Sequence, residues 1–121
     1  MSIRPFATAT AAYLTWFGHC DVVLSPTLTR PPWPLGTLAP DLGRRTLIQR
    51  TGELVGYTPI DNIARCPAMS VPLEWHDGLP IGMHLAARPG DDATLIALAY
   101  ELEAAQPWAH LRPTGVACPR S

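Results

Sequence analysis

Five prolines fall within residues 26–43, and this cluster restricts the possible folds of the chain more than any other feature of its sequence. Proline lacks a backbone N–H and fixes the φ angle, so the segment can form neither a regular helix nor an inner strand. The sequence therefore predicts a long loop over residues 26–43. A loop of this length inside a compact domain is usually functional or covers another part of the protein.

Apolar residues at helix or strand spacing lie on both sides of this loop. Before it, apolar side chains at helical spacing predict an amphipathic helix, and the run DVVLS predicts a short buried strand. After it, Asp77-Gly78 favours a two-residue turn between two strands. The predicted elements are a helix at 4–18, a strand at 21–25, strands at 69–73 and 81–87, and a helix at 92–105. The predicted fold class is therefore α/β.

The remaining segments carry weaker patterns. Residues 44–56 suit a short helix with breaks at Gly52 and Gly56, and residues 57–67 are predicted to be irregular because prolines bracket them. Pro72 indicates that the strand at 69–73 lies at a sheet edge or contains a bulge.

The last helix has the clearest pattern. Asp91 or Asp92 is expected to accept hydrogen bonds from the free N–H groups of its first turn. Its apolar face consists of Leu95, Leu98, Ala99 and Leu102. Pro107 disfavours helical geometry at the preceding residue and is expected to end the helix there.

Composition argues against several classes of partner. The net charge is −1 without a basic patch, so nucleic acid and anionic membranes are not expected to bind. No stretch approaches the roughly 20 apolar residues that span a bilayer. Charged residues make up only 16%, against roughly 25% in typical soluble domains, which suggests that part of the surface normally meets other protein. Three cysteines without short-range spacing (Cys20, Cys66 and Cys118) predict a reducing, cytoplasmic location.

The residues alone provide no convincing catalytic or cofactor site. No pair of ligands has zinc-site spacing, and no glycine-rich phosphate loop is present, so no metal or cofactor is expected. The internal serines, Ser25 and Ser70, do not lie in a nucleophile elbow. A pair of Cys66 with His76 or His84 stays open as a minor alternative.

Several motifs, in the same order, resemble the amidase signature family of serine hydrolases. They are DVVLSPT at 21–27, YTPIDN at 57–62, CPAMSVP at 66–72, GLPIGMHL at 78–85, DATL at 92–95 and QPW at 106–108. Within the family, the motifs are most similar to the 6-aminohexanoate-cyclic-dimer hydrolase-like amidases. Cys66 stands where the family usually has glycine, and His84 where it often has glutamine.

The resemblance implies a specific fold and chemistry. Residues 1–121 would be the C-terminal part of an amidase domain, an incomplete portion of a mixed sheet flanked by helices. The family cleaves carboxamides with a Ser–Ser–Lys triad, but this chain contains no lysine. We therefore expect no catalytic residue in the chain and no activity of the chain alone. The resemblance implies that Trp33, Asn62 and Cys66 are candidates for the wall of the substrate pocket.

The sequence thus leaves more than one role open. The first expectation is a C-terminal amidase fragment, which meets a small amide substrate only together with the missing N-terminal catalytic part. The alternatives are a non-catalytic interaction module and a complementing subunit derived from an amidase C-terminus. In each case, strand edges left without neighbours would allow self-association.

Overall fold

The computed structural model describes residues 4–111 of the chain. Four α-helices lie within them: α1 (Arg4–Thr15), α2 (Arg44–Leu54), α3 (Pro59–Ala64) and α4 (Asp92–Ala105). A short 3₁₀ helix, Trp16–Gly18, follows α1 directly. The three strands are β1 (Val22–Pro26), β2 (Ala68–His76) and β3 (Leu79–Ala87). The architecture is mixed α/β, and residues 27–43 connect β1 to α2 without a helix or strand.

The strands form one antiparallel sheet in the order β1-β3-β2, with β3 in the centre. The hairpin between β2 and β3 pairs His76 with Leu79 and turns at Asp77 and Gly78. Both turn residues have positive φ, 51° and 75°, as a type I′ turn requires. The turn predicted from Asp77-Gly78 is therefore present.

A proline lies on each outer edge of the sheet. The backbone N–H of Thr27 donates to the Gly82 carbonyl over 3.0 Å, and hydrogen-bonded pairs alternate along an antiparallel ladder. This alternation points the backbone hydrogen-bonding groups of Val22, Leu24 and Pro26 in β1 away from β3. On β2, the N–H of Ala87 donates to the Pro67 carbonyl, and the same alternation places the backbone of Pro72 on the outer side of the strand. The N–H that proline lacks therefore removes no bond between the strands. The register also shifts between Pro72 and Glu74, so β2 combines the predicted edge position and bulge.

The apolar core lies between the sheet and α4. Val71, Leu85, Ala87 and Leu95 are buried together, and Leu98, Ala99 and Leu102 of α4 pack against them. The apolar face predicted for the last helix therefore contacts the sheet. The helix ends at Ala105, and the side-chain amide of Gln106 donates to the Leu73 carbonyl over 2.9 Å.

The first turn of α4 corrects one expectation. Asp91 occupies the N-cap position, but its side chain accepts no backbone hydrogen bond there. Its carboxylate instead accepts the hydroxyl of Thr94 at 2.6 Å and lies 3.7 Å from the Nε atom of Arg88. These two side-chain partners replace the N–H groups that were expected to bind it.

Two further expectations about local structure were wrong. Residues 59–64 form α3, because Pro59 occupies the start of the helix, where a missing N–H leaves no bond unmade. Gly52 does not break α2, which continues to Leu54. A glycine inside a helix costs only about 1 kcal/mol relative to alanine, and the neighbouring residues maintain the helix.

The first helix is only partly covered. Phe17 is buried and Tyr13 is half-buried, and their rings meet edge to face with centroids 5.6 Å apart. Phe6 and Trp16 follow the same helical spacing as Tyr13 and Phe17 but remain 42% and 61% exposed. The described part of the chain therefore leaves much of this face without a neighbour.

Candidate functional site

A buried carboxylate joins three elements of the fold. Asp61 of α3 is only 4% exposed and accepts hydrogen bonds at both carboxylate oxygens. The hydroxyl of Tyr13 on α1 donates to Oδ1 over 2.7 Å, and Nε2 of His84 on β3 lies 2.8 Å from Oδ2. His84 is also buried, so the pair is withdrawn from water. These three residues are called the Asp61 cluster below.

Local structure explains how the cluster forms. Pro59 starts α3, which places Asp61 in its first turn, where a negative charge complements the helix dipole. The helix ends at Ala64, and the next residue, Arg65, turns the chain with a left-handed φ of 56°. The N–H of Cys66 donates to the Asp61 carbonyl over 3.0 Å. His84 lies on the central strand, so the cluster ties α1 and α3 to the middle of the sheet.

Two groups at the Asp61 cluster have raised pKa values. Burial, reinforced by the hydrogen bond to Asp61 and by its negative charge, raises the pKa of the Tyr13 hydroxyl above its ordinary value of 10.0. Burial and the charge of Asp61 also raise the pKa of the Cys66 thiol above 9.0. Both groups therefore remain neutral at physiological pH.

The raised pKa of Cys66 argues against its use as a nucleophile. Cysteine reacts as the thiolate, which positive neighbours and low pKa favour. Cys66 instead lies beside a carboxylate, and the ring of His84 is bound to that carboxylate. The second histidine considered as a partner, His76, is exposed at the hairpin and lies 3.5 Å from Asp77. The geometry thus gives no support to a Cys–His catalytic pair.

The internal serines lie in register with His84, and Ser70 has a different hydrogen-bond partner. Ser25 of β1 and Ser70 of β2 are both register partners of His84, so the three residues form a row across one face of the sheet. The hydroxyl of Ser70 is 2.7 Å from that of Thr27, and His84 is directed to Asp61. No hydrogen bond joins Ser70 to His84 within residues 4–111, so a Ser–His–Asp relay is not assembled there.

Metal ions and membranes are two further classes of binding partner. Within residues 4–111, no group of three or more His, Cys, Asp or Glu side chains is arranged to hold a metal ion. None of the helices in this part of the chain combines the length and the apolar character needed to cross a bilayer.

The three predicted pocket residues lie in two different places. Trp33 lines an apolar cleft of about 380 Å³ between the proline-rich loop and α2. Asn62 is exposed on α3, and Cys66 follows that helix next to the Asp61 cluster. Neither of them is among the residues that line the cleft of Trp33. The prediction that the three share one substrate pocket remains untested.

Sequence reasoning missed the Asp61 cluster. It treated Asp61 only as part of a motif, and it noted His84 only because it replaces a common glutamine. A signal was present, because Asp61 is the only charged residue between Tyr57 and Ala64, and His84 interrupts the apolar run of β3. Charged or polar side chains in such segments need partners when they are buried.

Comparison with known proteins gives consistent matches. A family model described as amidase matches residues 6–96. Two Mycobacterium tuberculosis proteins, named "Putative amidase AmiC" and "Putative amidase AmiB2", are 42% and 38% identical over 84% and 81% of this chain. The solved structure of 6-aminohexanoate cyclic dimer hydrolase covers 93% of the chain with a TM-score of 0.80 and 28% identity. The chain spans only 22%, 21% and 25% of these proteins, respectively.

Proposed function

This chain belongs to the amidase family, and we propose that it is the C-terminal part of an enzyme that hydrolyses carboxamide bonds. One observation supports this role above all others: residues 6–96 match the family model. The sequence, however, contains no lysine. The family resemblance implies a serine nucleophile that is activated by a second serine and a lysine. Those residues would come from the remaining amidase part, so this chain alone would not turn over an amide.

In this role the chain would contribute sheet and pocket wall to the complete enzyme. The Asp61 cluster fixes α3 and the segment that follows it against the central strand β3. Asn62 lies in α3, Cys66 lies in the segment that follows it, and Trp33 belongs to the loop next to α2. The candidate pocket residues would thus face the amide from two separate parts of this chain.

The absence of activity can be tested directly. The purified chain is incubated with small linear and cyclic amides, and release of the amine is followed over time. We expect no turnover above that of the Ser70→Ala variant purified in the same way. Turnover that persists after removal of contaminating amidase and disappears in Ser70→Ala would contradict the proposal, because it would place a nucleophile within this chain.

The amidase role itself is tested by complementation. A family relative, 6-aminohexanoate cyclic dimer hydrolase, is shortened by the segment that this chain matches and is then co-expressed with this chain. We expect the shortened enzyme to be inactive and activity to return with the chain. A second version lacks the relative's catalytic lysine and should stay inactive under both conditions. Failure to restore activity would favour the non-catalytic alternative.

That alternative is an interaction module, and one observation favours it. Both outer strands of the sheet have edges without a partner in the described part of the chain, and Leu24 on β1 is 58% exposed. Unpaired strand edges form backbone hydrogen bonds with other chains. A chain that assembles with a protein through β1 or β2, and does not complement a shortened amidase, would support this role.

A further inference from the structure

The cleft between the proline-rich loop and α2 has an apolar lining, and an arginine without an ion pair in residues 4–111 stacks on one of its lining residues. Leucine, proline and tryptophan side chains form most of its wall, and no charged residue is among its lining residues. The guanidinium carbon of Arg30 lies 5.0 Å from the centre of the Trp33 ring, which is part of that wall. We propose that the cleft binds a monocarboxylate with a short apolar chain, the chain lying against Trp33 and the carboxylate at Arg30.

The size and lining of the cleft fit such a ligand. Its volume of about 380 Å³ is at the lower end of the range of about 300–1,000 Å³ for small-molecule sites. Leu28, Trp33 and Leu54 provide apolar contact from the loop and from α2. Leu35 also lines the cleft and is fully exposed, so a bound apolar chain would remove its side chain from water.

The loop is held in place before any ligand arrives. The backbone N–H of Thr29 donates to the Leu54 carbonyl over 3.1 Å, and its hydroxyl donates to the Glu53 carbonyl over 2.5 Å. Arg50 of α2 donates to the Thr37 carbonyl over 2.6 Å. Prolines restrict the segment between these attachments. A cleft that is formed in advance loses less conformational entropy on binding.

The charge of Arg30 selects the polar end of the ligand. Within residues 4–111, Arg30 forms no ion pair, and its guanidinium contacts the face of Trp33. Arg88, by comparison, lies 3.0 Å from the Asp21 carboxylate and 3.7 Å from that of Asp91. A guanidinium binds a carboxylate through two parallel N–H bonds, which an alcohol cannot reproduce. An anionic group is therefore preferred next to the Trp33 ring.

Octanoate and octan-1-ol are the probes, and each is titrated into the full chain. Binding is followed by the indole N–H signal of Trp33 in a nitrogen–proton correlation spectrum, assigned by its absence in Trp33→Phe. We expect saturable binding of both probes, with octanoate about tenfold tighter than octan-1-ol. Equal affinities, or no saturable shift of the Trp33 signal with octanoate, would overturn the proposal.

Three variants separate the charge from the apolar surface. Arg30→Gln should weaken octanoate about tenfold and leave octan-1-ol unchanged. Arg65→Gln, at an exposed arginine after α3, should change neither affinity and serves as the matched control. Leu35→Ser should weaken both probes. The proposal fails if Arg30→Gln and Arg65→Gln affect octanoate equally. Because it concerns binding to this chain alone, its outcome does not depend on amide hydrolysis.

Discussion

Nε2 of His84 lies 2.8 Å from Oδ2 of Asp61, and both side chains are buried. The contact joins the central strand to α3 across 23 positions of sequence, and Tyr13 extends it to α1. A carboxylate can only accept hydrogen bonds, so Nε2 carries the proton in this pair. The helices α1 and α3 are therefore attached to the central strand through one shared acceptor, the Asp61 carboxylate.

Removal of the carboxylate should strongly destabilise the fold. Asp61→Ala leaves the His84 ring and the Tyr13 hydroxyl without their acceptor in a buried site. Breaking a buried pair by removing one partner costs about 3 kcal/mol. We expect the free energy of unfolding to fall by that amount. Urea titrations followed by circular dichroism measure the change.

Two conservative variants serve as controls for Asp61→Ala. His84→Gln keeps an N–H donor near the carboxylate and should cost clearly less. Tyr13→Phe removes one hydrogen bond to a charged acceptor and should cost about 1.5 kcal/mol. If Asp61→Ala costs no more than Tyr13→Phe, the contact between Asp61 and His84 contributes little to stability.

Stability should decline at alkaline pH. The pKa values of Tyr13 and Cys66 are raised in the folded chain, first by burial and then by Asp61. A group with a raised folded pKa contributes full stability below its unfolded pKa and loses that contribution as the pH rises towards its folded pKa. The free energy of unfolding should thus fall above pH 9.0, the ordinary value of the thiol, and more steeply above 10.0, that of the phenol.

Urea titrations at a series of pH values measure this decline. The double variant Tyr13→Phe/Cys66→Ser removes both titrating groups and should flatten the curve. Tyr57→Phe is the matched control, because Tyr57 is exposed at the surface. If the free energy of unfolding falls equally at alkaline pH in the double variant and in the unmodified chain, other titrating groups cause the decline.

Substitution of two glycines by alanine should change the stability of the fold in opposite directions. A Cβ atom at Gly82 would lie 2.7 Å from the Ser70 hydroxyl and 2.8 Å from that of Thr27, which bind one another above the strand. We expect Gly82→Ala to cost about 1–3 kcal/mol through this overpacking. Gly52 lies in α2, and apart from its chain neighbours and its own helix backbone no described residue lies within 4 Å of a new Cβ. Gly52→Ala should therefore stabilise by about 0.5–1 kcal/mol. Thermal denaturation compares the two, and a stabilising Gly82→Ala would contradict the packing argument.

The sequence predicted elements where local patterns determine them. The last helix lies at Asp92–Ala105, the range read from its apolar spacing and from Pro107. The turn at Asp77 and Gly78 follows from residues that adopt positive φ, and the long loop follows from its prolines. These are short-range effects, so no knowledge of the tertiary structure is needed.

The wrong or missing predictions concern features that depend on the position of a residue within its helix or on contacts between distant residues. Pro59 was taken as a breaker, but proline breaks a helix only beyond its first turn. Asp91 or Asp92 was expected to accept backbone N–H groups, but Asp91 takes the N-cap position and accepts the Thr94 hydroxyl instead. The Asp61 cluster requires α1, α3 and β3 to meet in space, which no pattern along the chain encodes.

The outer edge of β1 should promote self-association of the isolated chain. Val22 and Leu24 direct backbone groups away from β3, and Leu24 is 58% exposed. A charged side chain on an edge strand opposes pairing with a second strand, so Leu24→Lys should shift the chain towards monomer. Sedimentation velocity over a wide range of concentration measures the shift. Leu35→Lys adds the same charge at an exposed leucine of the proline-rich loop, outside β1, and should leave association unchanged. A monomer with a sharp, concentration-independent unfolding transition in the unmodified chain would show that the edge of β1 does not drive association.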